Sequence, residues 1–269
     1  MILIIGGGRM GRGLALALSE AGERVSLWSR REATGVMADA VNGAGTIVLA
    51  VPDDSILEVA AELATLGSIE ESQVVLHLSG LRDARALRPL ERTGAALGSL
   101  HPLQTISDPD TAPARWRGAV AAIEGDPRAV VEGERIARLL GLEPVRISAE
   151  SKSAYHAGAV FASNYVVALA AIAARLAQAA GVPAELAGRM YLPLLLGAAE
   201  NLTRQPPPAA LTGPVRRGDL ETVRAHLEAL SPEDRVLYAR LGLEALRLAR
   251  EAGLDQARAE EMERVLRDY

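Results

Sequence analysis

Ile2-Leu3-Ile4-Ile5-Gly6-Gly7-Gly8-Arg9-Met10-Gly11 follows the first methionine directly and decides the fold. Four apolar residues suit a buried strand, and the glycines after them fit G-x-G-x-x-G at a strand-to-helix turn. Gly6 permits the tight turn, Gly8 lets the backbone approach a diphosphate, and Gly11 lets the helix pack closely on the strand. The turn Arg9-Met10-Gly11 starts the helix, whose free N–H groups face such an anion. The alternative is an ordinary strand-to-helix turn that holds no ligand.

About twenty residues on, a fold that prefers NAD usually ends its second strand in Asp or Glu, which bonds the ribose hydroxyls. This chain has Ser29-Arg30-Arg31 there. A carboxylate would repel a 2′-phosphate, whereas a serine hydroxyl and two guanidinium groups can hold one through charge-assisted bonds. The expectation is therefore NADP(H), against the alternative of a solvated basic turn. The missing acid also counts against S-adenosylmethionine, which generally needs the same ribose contact.

Outward from this start, short β-branched runs alternate with helical patterns as far as Ile147, the rhythm of βαβ units. The pattern predicts strands near 2–5, 24–28, 46–51, 74–78, 96–100, 119–123 and 144–147. Helices are expected over Arg9–Ala21, Asp54–Leu66 and Pro127–Leu140. This is an α/β fold, a doubly wound parallel Rossmann sheet, followed by a second domain that is all-α. The expected domains are 1–148 and 149–269. Glu150 to Ala180 reads as one helix about 45 Å long, apolar on nearly every face and so expected to be buried on most sides. Further on, Asp219, Ser231 and Asp255 stand where N-caps belong, and Pro193 predicts a kink. Alanine-rich helices with 3% aromatic residues overall bury little area each, so pairing with a second copy is expected to complete the helical half as a homodimer.

Ligands of an open parallel sheet lie outside the carboxyl ends of its strands. Those ends are Val51-Pro52-Asp53, Ser79-Gly80 and His101-Pro102-Leu103-Gln104. Pro52 and Gly80 set the backbone close to a flat ligand, Val51 and Pro52 are expected at the cofactor with Ser79, and Ser79, His101 and Gln104 can bond a carboxamide or a substrate. The alternative is that the prolines end strands and Asp53 caps the next helix. His77, inside its strand, reads as a satisfied core residue, and His226 as surface. On the long helix Lys152 and His156 are four residues apart and share a side, with Ser163 near it and Asn164 about a third of a turn away. Lysine can polarise a carbonyl and histidine can exchange a proton near pH 7; a hydrogen-bond network at the domain boundary is the alternative. Leu211 to Asp219 is either an anion-binding loop or a capped turn.

Composition narrows the classes. A 269-residue chain that is 49% hydrophobic and 23% charged reads as a soluble protein of two domains. No apolar run reaches the roughly 18 uninterrupted residues of a membrane span. With no leader pattern at the start, a cytoplasmic location is expected. Without cysteine there are no disulfides, thiolate metal sites or cysteine nucleophiles, and no metal site is expected. A net charge of −5 argues against a general nucleic-acid surface.

Ile4 to Gly11, Ala50 to Asp53, Leu78-Ser79-Gly80, Leu100 to Gln104, Val160 to Tyr165 and Leu211 to Pro214 resemble a Rossmann-like family whose helical second half is catalogued as a domain of unknown function. That family is similar to ketopantoate reductases, pyrroline-5-carboxylate reductases, and the 6-phosphogluconate and β-hydroxyacid dehydrogenases. The resemblance implies NADP binding, a helical C-terminal domain like that of 6-phosphogluconate dehydrogenase, dimerisation through it, and reductase chemistry. In the hydroxyacid dehydrogenases a lysine and, four residues later, an asparagine polarise and protonate the substrate oxygen. Here Lys152 matches the lysine, His156 stands at the second place, and asparagine appears only at Asn164. The expected catalytic set is Lys152, His156, Asn164, His101 and Ser79, acting on a C=O or C=N group of a small metabolite, with ketopantoate as the first keto acid to try. The alternative function is NADP(H) binding or redox sensing without turnover.

Overall fold

In the computed structural model, which describes residues 1–29 and 34–269, the chain divides into two units, Met1–Val167 and Ala168–Tyr269. The first unit carries a seven-stranded sheet of order β2-β1-β3-β4-β5-β6-β7. Its strands are β1 (Ile2–Ile5), β2 (Val25–Trp28), β3 (Thr46–Leu49), β4 (Val74–His77), β5 (Ala96–Pro102), β6 (Val120–Gly125) and β7 (Glu143–Arg146). Its helices are α1 (Arg9–Glu20), α2 (Thr34–Asn42), α3 (Ile56–Leu66), α4 (Ala112–Trp116), α5 (Pro127–Leu139) and α6 (Lys152–Ala162), and α7 (Asn164–Ala179) begins in it.

The residues of β1 explain the double layer. Ile2 and Ile4 face one core with Leu14 and Leu18 of α1, Trp116 of α4 and Ile136 of α5. Leu3 and Ile5 face the other, with Ile56 and Leu63 of α3 and with Leu87 and Leu90 of a 3₁₀ segment. Side chains alternate with period two, so a strand covered on both faces must be apolar throughout. β1, β3 and β4 are buried at every position.

One part of the sheet departs from the parallel expectation. β6 runs antiparallel to β5, with Gly98 opposite Gly125, and β7 is parallel to β6. The link between β5 and β6 holds a 3₁₀ turn and the five-residue α4 instead of a full crossover helix. At the close of the pair, a Cβ on Gly125 would lie 2.4 Å from the Gly98 Cα, and Gly125 has φ +135°. Only glycine fits there.

The long helix expected from Glu150 to Ala180 is a 3₁₀ turn (Ala149–Ser151) followed by α6 and α7, which are separated at Ser163. Averaged over its most apolar window, Ala149–Ala179 has a mean hydropathy of 1.8, enough by length and composition alone to cross a bilayer. Small polar interruptions hid this from a count of unbroken apolar residues. The burial expected on most sides is not met within one chain, where Phe161 and Val167 are 65% and 70% exposed. The first unit reaches past residue 148 because α6 is tied to the sheet through side chains described below.

The second unit holds α8 (Ala184–Met190), α9 (Leu192–Arg204), α10 (Pro207–Ala210), α11 (Pro214–Arg217), α12 (Leu220–Ala229), α13 (Pro232–Glu251) and α14 (Gln256–Arg267). Asp219, Ser231 and Asp255 cap α12, α13 and α14 through Thr222, Asp234 and Arg258 N–H. Pro193 stands in the first turn of α9, and the chain breaks at Tyr191. Leu227, Leu246, Met262 and Leu266 form its core, and Arg175 holds Asp234 in a fork of two 2.7 Å bonds. The Leu211 to Asp219 segment contains α11 and ends at the Asp219 cap of α12, with Arg216 donating to the Ala252 carbonyl at 2.9 Å.

Candidate active site

The glycine turn is built as its spacing requires. Gly6 has φ +128°, and a Cβ there would lie 2.2 Å from the Ala50 carbonyl oxygen. A Cβ on Gly11 would lie 1.9 Å from the Gly6 carbonyl oxygen, so α1 sits directly on the turn. Gly8 is different: its φ of −73° suits any residue, and a Cβ would meet nothing within 4 Å. No side chain caps α1 and no acidic residue stands in its first turn. An unblocked backbone and uncapped amides at a helix start fit a diphosphate.

This turn borders a cleft of about 670 Å³ that is also lined by Arg12, Ser29, Val51, Pro52 and Glu62. Of the residues expected at the cofactor, Gly6, Gly8, Ser29, Val51 and Pro52 face it. Arg9 is exposed outside it, and Met10, in the first turn of α1, packs against the core. Arg12, one turn into α1, went unnoticed in the sequence because the motif ends at Gly11. Arg30 and Arg31 lie outside the described residues.

Ser79 is 5% exposed and its hydroxyl is fully engaged. It donates to Asp53 Oδ2 at 2.7 Å and accepts from the N–H of Leu81 and Arg82. A hydroxyl has one donor and two acceptor positions, so Ser79 fastens the end of β4 to the turn after β3 and has none left for a ligand. His77 is a satisfied core residue as expected. Its Nδ1 accepts from Ser79 N–H and its Nε2–H donates to the Asp83 carbonyl, and burial lowers its pKa to about 4.

A second cleft, also about 670 Å³, opens at the end of β5 against α6 and the start of α7. His101, Tyr155, His156 and Asn164 line it. His101 Nδ1 and the Tyr155 hydroxyl are 2.8 Å apart with their rings edge to face. His156 also stands edge to face with His101, ring centres 6.0 Å apart. Gly80 allows this closure, since a Cβ there would lie 2.6 Å from His156 Nδ1 and 2.9 Å from His101 Nε2. Burial first, then the Lys152 charge and His156, lower the His101 pKa to about 4. Burial raises the Tyr155 phenol to about 12. Gln104 is spent on the Arg115 carbonyl and the Thr105 N–H, and the hydroxyls of Thr105 and Ser163 pair with each other.

Lys152 does not line either cleft. It is 1% exposed, and its ammonium donates to the Ser79 carbonyl at 3.0 Å and to Ser99 Oγ at 2.7 Å. Ser99 passes the chain on to Glu124 Oε2 at 3.2 Å, which also accepts from Ala84 N–H. Burial lowers the Lys152 pKa to about 8, against the raising effect of Glu124, Asp83 and Asp53. Of the 29 lysines and arginines, Lys152 is the one lysine. Tyr155, Ser99 and Glu124 were missed in the sequence. The spacing of three between Lys152 and Tyr155 was the available signal for the first, and only the fold brings the other two together.

Residues 1–102 match a Rossmann-like domain, and residues 119–261 match the domain of unknown function DUF2520. No curated protein matches the chain. Among solved structures, protein TM1727 from Thermotoga maritima is 24% identical with a TM-score of 0.72, over 93% of this chain and 99% of that one. A putative NADP oxidoreductase, BF3122 from Bacteroides fragilis, is 23% identical with a TM-score of 0.68, over 91% and 96%. A pyrroline-5-carboxylate reductase from Coxiella burnetii is 18% identical with a TM-score of 0.56, over 99% and 97%. Likeness at these identities establishes a common fold. The match over more than half its length makes this chain a member of the DUF2520 family, carrying a Rossmann-like domain ahead of it.

Proposed function

We propose that the chain is an NADP(H)-dependent oxidoreductase that reduces a C=O or C=N group of a small metabolite. The observation that carries this reading is the open space at Gly8 before an uncapped helix, in a cleft shared with the ends of β2 and β3. When bound there, the nicotinamide cofactor supplies a hydride. Gly6, Gly8 and the α1 amides hold its diphosphate, and Ser29, Arg30 and Arg31 hold the 2′-phosphate that makes it NADP. The cleft at His101 is the substrate site, where Asn164, exposed and without an intramolecular partner among the described residues, orients the reacting group.

The substrate class is a small keto acid, with ketopantoate the first compound to test. The C=N alternative draws on the reductase name of a protein with a similar fold. Calorimetry with NADPH and NADH, followed by NADPH consumption with ketopantoate, other keto acids and cyclic imines, tests both parts. Tight NADPH binding and turnover of one of these classes are expected; failure of both dinucleotides to bind ends the reading.

A second reading, binding of NADP(H) without turnover, is favoured by the sealed ammonium of Lys152 and the saturated hydroxyl of Ser79. It predicts a change of shape on NADPH binding and no consumption of NADPH with any compound. In either reading the protein acts in the cytoplasm as a homodimer. Support for the dimer comes from large apolar side chains that one chain leaves exposed, Phe161 and Val167 in the first unit and Leu194 and Leu196, 69% and 71%, in the second.

A further inference from the structure

The cleft at the end of β5 holds three side chains able to carry a transferable proton near its wall: Tyr155, His101 and His156. His156 Nδ1 is buried and closed against Gly80. Lys152 is shut beneath the floor with two of its protons already donated. We infer that Tyr155, backed by His101 Nδ1, protonates the reduced substrate, and that Lys152 is a positioning residue below the pair. The inference rests on the oxidoreductase reading and names the acid within it.

The geometry assigns each proton a place. With His101 Nδ1–H donating to the phenol oxygen across 2.8 Å, the phenol hydrogen is free to point at a bound substrate. The carbonyl carbon accepts the hydride, its π pair moves to oxygen, and that oxygen takes the Tyr155 proton. The phenolate so formed keeps the His101 hydrogen bond and regains its proton from solvent. For an imine the nitrogen replaces the oxygen and the balance is the same.

The neutral ring carries a single proton, which this arrangement places on Nδ1 facing the phenol oxygen, and burial together with the Lys152 charge disfavours a second. The charged and titratable groups facing His101 are Lys152, Tyr155 and His156 on α6, Asp53 after β3 and His77 on β4. Lys152 is the strong cation among them, fixed between β4 and β5 by Ser79 and Ser99 and balanced through Ser99 by Glu124. A compact ammonium fits between two adjacent strands where a planar guanidinium fork does not.

The test uses the full-length chain in two arms. In the first, ¹⁵N-lysine labelling gives one side-chain signal, expected as a slowly exchanging ammonium; a freely exchanging signal overturns the sealed position. In ¹⁵N-histidine spectra, Tyr155→Phe is expected to move the His101 Nδ1 resonance, and Lys152→Gln to raise the His101 titration midpoint. No movement in either overturns the coupling. In the second arm, NADPH consumption is followed with the best compound of the keto-acid and imine panel. Tyr155→Phe is expected to lower kcat by about 10²–10⁴-fold with the KM for NADPH unchanged. Lys152→Gln is expected to lose less and to displace the pH profile; the reverse order overturns the assignment. A wild-type chain that binds NADPH but consumes none sinks the oxidoreductase reading, while the spectra still decide whether Tyr155, His101 and Lys152 are coupled.

Discussion

A Cβ placed on Gly11 would come within 1.9 Å of the Gly6 carbonyl oxygen, so the first helix rests directly on the turn that feeds it. Five residues apart, the two glycines fix where the α1 amides point. Gly8, between them, is the position with room.

That contrast separates folding from binding. Gly11→Ala is expected to destabilise the protein by about 1–3 kcal/mol, since backbone must move to admit the methyl group. Gly8→Ala should change stability by less than about 0.5 kcal/mol and yet weaken NADPH binding, because its methyl group enters the diphosphate's space. Urea unfolding and calorimetry on the two variants check this. Equal loss of stability would contradict it.

Discrimination between dinucleotides is expected to rest on Arg30 and Arg31, which follow β2 in sequence. Removing Arg30 or Arg31 as alanine takes away a charge-assisted bond worth about 1.5–3 kcal/mol. NADPH affinity should fall by roughly ten- to a hundred-fold while NADH affinity is nearly unchanged. If both dinucleotides bind the wild-type chain equally, the 2′-phosphate assignment is wrong.

Oligomeric state is expected to depend on the exposed leucines of α9. Sedimentation of the wild-type chain should give a dimer, and Leu194→Glu with Leu196→Glu a monomer, because carboxylates resist burial in an apolar contact. A wild-type monomer at high concentration would leave these side chains unexplained.

Acid should weaken the fold through its buried imidazoles. His77 and His101 are held near pKa 4 from an ordinary 6.5, chiefly by burial. Between those values the unfolded chain binds more protons than the folded one, so stability rises with pH and is lost as pH falls from 6.5 toward 4. The loss is on the order of 3 kcal/mol for each histidine. Urea midpoints across that range should flatten in His101→Gln, and an unchanged slope would show that His101 is already protonated in the fold.

The elements of both halves were legible because their signals are local. Strand period, helix caps and the glycine spacing act within a few residues, and Asp219, Ser231 and Asp255 cap the helices where the sequence placed them. The reversal of β6 was not legible, since Gly98 and Gly125 become informative only once they are opposite each other. Lys152 stood out in the sequence, but whether it faces a ligand or the interior depends on Ser79 and Ser99, which the sequence holds 73 and 53 residues away.

Taken alone, the amino-acid order determined an α/β half with a glycine-rich bend between its first strand and helix and a helical half with named caps, because backbone preference and side-chain periodicity are short-range. Tertiary structure decided which polar side chains reach solvent and which are consumed. Burial, and the hydrogen bonds that make burial tolerable, are set by residues distant in sequence and adjacent in space.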